Sequence, residues 1–132
     1  MSSLAIAEQF VARINAHDVD GLARLVTSDH RFIDSLGAVL EGRDAIRSAW
    51  QAYFELVPDY HLAIGRRFSA EAEVVLLAVA SGSLSPGGHP REDSAWTTQA
   101  ALRALIRGDR VAEWQVYADN EPIRQQMRRV SV

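Results

Sequence analysis

The sequence predicts an α+β fold in which three N-terminal helices pack against a curved antiparallel sheet. The first reason is a helical spacing of apolar residues that dominates the chain as far as Pro58. The second is a change of character after Pro58, where four extended apolar runs are joined by two local turns and, between the second and third runs, a longer loop at residues 85–90. The third is size, because 132 residues with 48% hydrophobic content can bury the core of one domain. We therefore expect a single domain over residues 1–132.

Three helices are predicted in the first part of the chain. The first begins after a serine pair that can cap it and extends to about His17. Asp18 caps a short second helix, so the two helices must form a corner. The third begins at Gly42 and ends before Pro58, because the residue that precedes a proline is disfavoured in the helical conformation.

The strands are predicted from alternation and from turn residues. After a break at residues 27–29, a short strand places His30, Phe32 and Asp34 on one face, because strand side chains alternate with a period of two. A second short run follows a glycine turn, at residues 38–40. Four long strands are predicted at residues 60–68, 73–84, 94–107 and 111–118, and the local turns between them make them antiparallel. A closing helical turn is predicted at residues 123–129.

Composition and charge exclude several classes of function. The net charge is −3, with acidic and basic residues interspersed, which argues against nucleic acid or an anionic membrane as partner. There is no cysteine, and the four histidines lack metal-ligand spacing, so we expect no metal site and no cofactor. No signal peptide or membrane span is readable, and a cytoplasmic location is the expectation.

The strand around residues 74–79 predicts a homodimer. Its residues are apolar at both parities, so both of its faces require burial, whereas the three helices can cover only one face of the sheet. A second subunit on the other face is the economical solution. The alternative is that the C-terminal tail covers this face, but the tail is short.

Several segments together resemble the nuclear transport factor 2-like superfamily, in particular the SnoaL-like polyketide cyclases and the ketosteroid isomerases. The resemblance covers nearly the whole chain and rests on residues 10–22, 32–37, 42–47, 108–114 and 117–120. It implies a cone-shaped, cystatin-like sheet wrapped around an apolar pocket. The expected partner is therefore a small hydrophobic ligand.

The resemblance to the isomerases implies a catalytic base without the usual hydrogen-bond donors. Asp34 falls at the position of the aspartate base, while the tyrosine and the second aspartate of the oxyanion hole fall on Phe10 and at or beside Leu102. Because removal of one such donor costs roughly a hundred- to a thousandfold in rate, steroid isomerisation by that mechanism is not expected.

The cyclase and epoxide hydrolase branches imply a role for Asp119, because they use an aspartate late in the last strand. Asp119 lies five residues after Trp114, so a bulge would be needed to turn it inward. Its structural alternative is to cap the closing helical turn, which Asn120 could do instead. An epoxide hydrolase also needs an arginine between two carboxylates, and the nearest, Arg103, has a different parity from Trp96 and should face away.

Asp34 is the centre of the expected site. As a carboxylate in an apolar space it would be poorly solvated and thereby a useful base; the alternative is that it only closes the turn at residues 35–37. His30 could orient it, or lie half-exposed at the strand start. We expect cofactor-independent acid–base catalysis on a small carbonyl-containing molecule, with a non-catalytic binding module or an epoxide hydrolase as alternatives. Asp34 and Asp119 would be catalytic. The side chains expected to line the pocket and contact the ligand are Phe10, His30, Trp50, Tyr53, Trp96, Leu102 and Trp114.

Overall fold

The computed structural model describes residues 1–85 and 94–130, and within them it contains helices and strands in the predicted order. The helices are α1 Ser3–Asn15, α2 Val19–Leu25, α3 Arg43–Leu56 and α4 Glu121–Val130. The strands are β1 Val26–Ile33, β2 Val39–Glu41, β3 His61–Ala70, β4 Glu73–Gly82, β5 Trp96–Arg107 and β6 Arg110–Ala118. The curved sheet and the N-terminal helices packed against it confirm the predicted α+β class.

The six strands form one open sheet with the order β2-β1-β6-β5-β4-β3. Four of the five pairs are antiparallel, but β1 and β6 are parallel, so the prediction of a wholly antiparallel sheet was wrong there. No turn joins these two strands, and the hairpin argument therefore never constrained their direction. This pairing brings the end of β1 beside the end of β6.

The local boundaries follow the sequence signals with two differences. The side chain of Ser2 accepts a hydrogen bond from the Ala5 amide, and Asp18 accepts one from the Gly21 amide, as expected of helix caps. The predicted break at residues 27–29 lies inside β1, as a register shift between Val26 and Arg31 rather than a gap. The closing helical turn is a longer element, the ten-residue α4.

The core lies between the N-terminal helices and the inner face of the sheet. On β5, every second residue from Trp96 to Ile106 is buried, which is the alternation of a strand with one covered face. Phe10 of α1 packs on Trp114 of β6, with ring centroids 4.7 Å apart. Among the described helices, none is long and apolar enough to cross a membrane.

The outer face of the sheet carries an apolar patch that no described helix covers. Its most exposed members are Leu77 (37%), Val79 (41%), Phe68 (46%) and Tyr117 (53%). Leu77 lies opposite Ala101, which in turn lies opposite Tyr117, so the patch runs continuously across three strands. We refer to Phe68, Leu77, Val79 and Tyr117 as the outer patch.

Candidate functional site

A cavity of about 430 Å³ lies between α3, the inner face of the sheet and α4. Its wall is formed mainly by aromatic and aliphatic side chains of all these elements, and a small number of polar groups lie among them. The aromatic lining residues are Phe32, Trp50, Tyr53, Tyr60, Trp96 and Trp114. All three tryptophans of the chain are therefore in the cavity wall.

Five of the aromatic rings form a continuous row along the wall. The centroid distances are 5.9 Å from Phe32 to Trp50, 6.4 Å from Trp50 to Tyr53, 5.0 Å from Tyr53 to Tyr60, and 6.1 Å from Tyr60 to Trp96. The first three contacts are edge-to-face, a favourable arrangement of aromatic quadrupoles. This aromatic row runs from Phe32 near the end of β1, through Tyr60 just before β3, to Trp96 at the start of β5.

Asp34 lies directly after β1, at one end of the cavity, and it also closes the turn. Its Oδ1 accepts hydrogen bonds from the amides of Leu36 (2.9 Å) and Ala38 (3.0 Å). Its Oδ2 has no hydrogen bond to any residue that the structure describes. The two interpretations of Asp34 thus combine, because the turn fixes one carboxylate oxygen and leaves the other available. The side chain is partly exposed rather than buried at the cavity floor.

Asp119 does not line the cavity, and its neighbour Asn120 does. The register of β5 with β6 is unbroken from Ala104 opposite Trp114 to Ala100 opposite Ala118. The bulge that would turn Asp119 inward is therefore missing, and the one irregularity between these strands lies earlier, near Ala112.

The hydrogen bonds of the two residues explain this arrangement. Asp119 Oδ1 accepts from the Glu121 amide at 3.0 Å, which caps the start of α4, and its carbonyl oxygen accepts from Thr98 Oγ1 at 2.7 Å. The Asn120 amide donates to the hydroxyl of Ser35, beside Asp34. Asp119 thus takes its structural alternative, the cap of α4, and Asn120 lies in the cavity lining instead.

Phe10, His30 and Leu102 were predicted to line the cavity, but they lie beneath its wall. All three are buried, and none contacts the open space. The reason is that α1 packs on the inner face of the sheet and fills the space over its middle. Phe10 lies against Trp114 and Trp50 and so supports the wall from behind.

His30 is a core histidine. It is completely buried, and its Nδ1 lies 2.7 Å from the carbonyl oxygen of Val111, so the neutral ring carries its proton on Nδ1. Its Nε2 is buried without a hydrogen bond to any described residue. Burial lowers the pKa of His30. No hydrogen bond joins it to Asp34 among the described residues, so it does not orient that carboxylate.

Two tyrosines, Tyr53 and Tyr60, lie in the cavity wall. Tyr53 was predicted, while Tyr60 was not, although its parity with the buried Leu62 of β3 could have indicated it. Neither hydroxyl has a hydrogen bond to a described residue. Burial raises the pKa of Tyr53 to about 12, and burial followed by the neighbouring Tyr53 also raises the pKa of Tyr60. Both are therefore neutral hydrogen-bond donors near pH 7.

Two charged side chains complete the described lining, Asp34 and Arg124 of α4. Arg103 points to the outer face as its parity predicted, where it is 2.5 Å from Glu73 and 3.9 Å from Glu113. The described residues contain no group of three potential metal ligands.

Comparisons with known proteins agree with this fold. The family model of the SnoaL-like domain matches residues 7–118. No curated protein matches the sequence. Among solved structures, a proposed SnoaL-like polyketide cyclase from Shewanella denitrificans has a TM-score of 0.83 at 17% identity, covering 96% of this chain and 97% of the other.

Two further solved structures show the same fold. IdmH, a proposed polyketide cyclase from Streptomyces antibioticus, has a TM-score of 0.80 at 17% identity, with 96% and 99% coverage of the two chains. A protein with a ketosteroid isomerase-like fold from Catenulispora acidiphila, solved with trimethylamine, has a TM-score of 0.78 at 20% identity, with 92% and 90% coverage. At these identities the likeness extends to the fold alone.

Proposed function

The chain belongs to the SnoaL-like domain family, and we propose that it catalyses cofactor-independent acid–base chemistry on a small apolar molecule with a carbonyl group. The reaction would be of the isomerase, cyclase or dehydratase type. The observation that carries the proposal is the apolar cavity of about 430 Å³ with a single described carboxylate, Asp34, in its lining. A pocket that is largely apolar, with a few placed polar groups, is the usual form of a small-molecule site.

Asp34 is the general base in this proposal. Oδ2 takes a proton from the carbon next to the substrate carbonyl, and the electron pair of that C–H bond moves towards the carbonyl oxygen. The carboxylic acid then returns the proton to another carbon of the enolate or to the same one. Because the amides of Leu36 and Ala38 hold Oδ1, the base is fixed before the substrate binds.

The hydroxyls of Tyr53 and Tyr60 stabilise the negative charge that develops on the carbonyl oxygen. They replace the donors that are missing at Phe10 and Leu102, which are both buried apolar side chains. In this proposal the ligand lies along the aromatic row with its carbonyl oxygen towards the tyrosines and the adjacent C–H bond towards Asp34. Hydrogen-bond donors placed in a largely apolar site are among the strongest contributions to such reactions.

The test uses exchange of a C–H proton, which needs no knowledge of the natural substrate. The bicyclic ketone 2-tetralone is incubated in deuterated water, and NMR follows the loss of its enolisable protons. We expect the wild type to accelerate exchange and Asp34→Asn to lower the accelerated rate about a hundredfold. Asparagine keeps an oxygen for the turn, so the fold should be retained.

Asp119→Asn is the matched control, because Asp119 is also an aspartate after a strand but lies outside the cavity. This variant should accelerate the exchange of 2-tetralone protons as much as the wild type does. Equal rates for the wild type and Asp34→Asn would remove Asp34 as the base. If 2-tetralone binds without any accelerated exchange, the second candidate, a non-catalytic binding module, is favoured. The observation in its favour is the loss of both donors at Phe10 and Leu102.

The position of Arg103 does not support the epoxide hydrolase alternative. That alternative requires an arginine held between two carboxylates at the site, and Arg103 instead pairs with Glu73 and Glu113 on the outer face.

The outer patch supports a homodimer through the sheet, which we also propose. Four large apolar side chains on one open face would each lose unfavourable contact with water in such an interface. Leu77→Arg should split the dimer, whereas Val39→Arg, at an exposed apolar residue of β2, should not. Light scattering that gives about one chain mass for the wild type at micromolar concentration would refute the dimer.

A further inference from the structure

We propose that the ligand of the cavity carries a carboxylate, which Arg124 binds at the α4 side of the opening. This inference rests on the ligand-binding part of the proposed function and names the class of ligand: a flat apolar body with one acidic end.

The position of Arg124 follows from the geometry of α4. The lining residues contributed by this segment are Asn120, Ile123, Arg124 and Met127, which is the spacing of one helix face. The Arg124 amide donates to the Asn120 carbonyl oxygen at 2.9 Å, so the helix is already regular at this point. Arg124 is thus held on the cavity side of α4 by the same helical turn that places Asn120 next to Ser35.

The acidic groups near Arg124 are engaged elsewhere. Glu121, one turn earlier, pairs with Arg128 at 2.6 Å. Asp119 uses Oδ1 to cap α4. Asp34 lines the same cavity, but it forms no ion pair with Arg124. Among the described residues, Arg124 has neither an ion pair nor a side-chain hydrogen bond, and its guanidinium donors are available.

A carboxylate is the group that fits these donors. The planar guanidinium fork binds a carboxylate through two parallel hydrogen bonds. A solvated surface arginine is the competing interpretation, since Arg124 is exposed. A ligand body that fills the apolar cavity would cover one side of the guanidinium and remove water from the pair, which strengthens it.

The experiment compares two compounds of similar size and shape but different charge, naphthalene-2-carboxylate and naphthalene-2-carboxamide. Calorimetry gives their affinities, and the three indole N–H signals in NMR spectra report occupancy, because every tryptophan lines the cavity. We expect the carboxylate to bind the wild type about fivefold more tightly at low salt, as for a partly exposed ion pair. High salt should reduce this preference.

Arg124→Gln should bring the ratio of the two affinities to about one while the amide binds as before. Arg129→Gln is the control, because it removes the same charge from the same helix at a residue outside the cavity lining. It should keep the preference.

The outcomes separate this inference from the proposed function. If both compounds bind the wild type equally, or if the preference survives Arg124→Gln, the carboxylate inference is overturned and the apolar site remains. If neither compound shifts the indole signals, the cavity is not a site for flat apolar ligands, and the proposed function fails together with the inference.

Discussion

Asp119→Ala tests the assignment of the residues at the end of β6. The substitution removes the Oδ1 acceptor that caps α4, while the carbonyl that accepts from Thr98 remains. Loss of such a cap costs about 1 kcal/mol. For a domain of this size that corresponds to a melting temperature lower by about 3–5 °C. Because Asp119 lies outside the cavity, the exchange of 2-tetralone should be unchanged at temperatures where the protein is folded.

Urea unfolding followed by circular dichroism measures the change in the free energy of unfolding. Hydrogen exchange of the Glu121 amide, which loses its acceptor, shows whether the loss is confined to α4. Asp119→Asn is the matched variant, since its side-chain oxygen can still accept this hydrogen bond, and it should lose less than half as much. Asn120→Ala should leave the cap intact and instead release Ser35 beside Asp34.

The assignment is refuted if Asp119→Ala unfolds like the wild type but loses ketone exchange. That result would mean that Asp119 turns into the cavity and acts as the second acid or base. Asp119→Ala could instead lose both stability and ketone exchange while Asp119→Asn loses neither. That result would mean that exchange needs only the cap of α4, because asparagine can accept the capping hydrogen bond but cannot replace a carboxylate in proton transfer.

Three further substitutions test other contacts. Asn15→Ala removes both side-chain hydrogen bonds to the backbone of Leu62 (2.9 and 3.0 Å) and should lower the free energy of unfolding by about 2 kcal/mol in urea; a loss below about 0.5 kcal/mol would contradict this. Burial lowers the pKa of His30 in the folded protein, so just below pH 6.5 the unfolded chain binds more protons than the folded protein does. The free energy of unfolding should therefore fall as the pH decreases from 6.5 towards the pKa of His30 in the folded protein. Urea titrations across this range should show a smaller fall for His30→Gln, and an equal slope would argue against the assignment. Tyr60→Phe should slow 2-tetralone exchange about a hundredfold with little change in stability, and unaltered exchange would remove this hydroxyl from the mechanism.

Local signals in the sequence were sufficient for the fold class and for most helix and strand positions. Asp18 caps α2 as its position before an apolar run indicated, and Gly42 precedes α3 with a φ of 97°, which glycine adopts without strain. The alternation of side chains along β5 correctly predicted that Arg103 lies on the outer face of the sheet. These features depend on neighbours in the chain, which is why periodicity and capping can reveal them.

The residues that line the cavity were harder to predict from the sequence. Trp50, Tyr53, Trp96 and Trp114 lie in it, but Phe10 and Leu102 do not, although they too face inward. Whether an inward side chain reaches open space depends on how deeply α1 packs over the sheet. No spacing within a single element contains that information.

The sequence by itself determined the α+β class, the caps of α1 and α2 and the outward direction of Arg103 on β5, because all of these follow from interactions over a few residues. Tertiary structure alone decided that β1 and β6 run parallel, and this brings Asp34 and Asn120 to the same end of the cavity. It also decided which of the two aspartates lines the cavity. The register between β5 and β6 stays regular up to Ala118, so Asp119 is left to cap α4 and Asn120 and Arg124 enter the lining. Strand register is set by the packing of the whole sheet, and so the site could not be read from the residues in order.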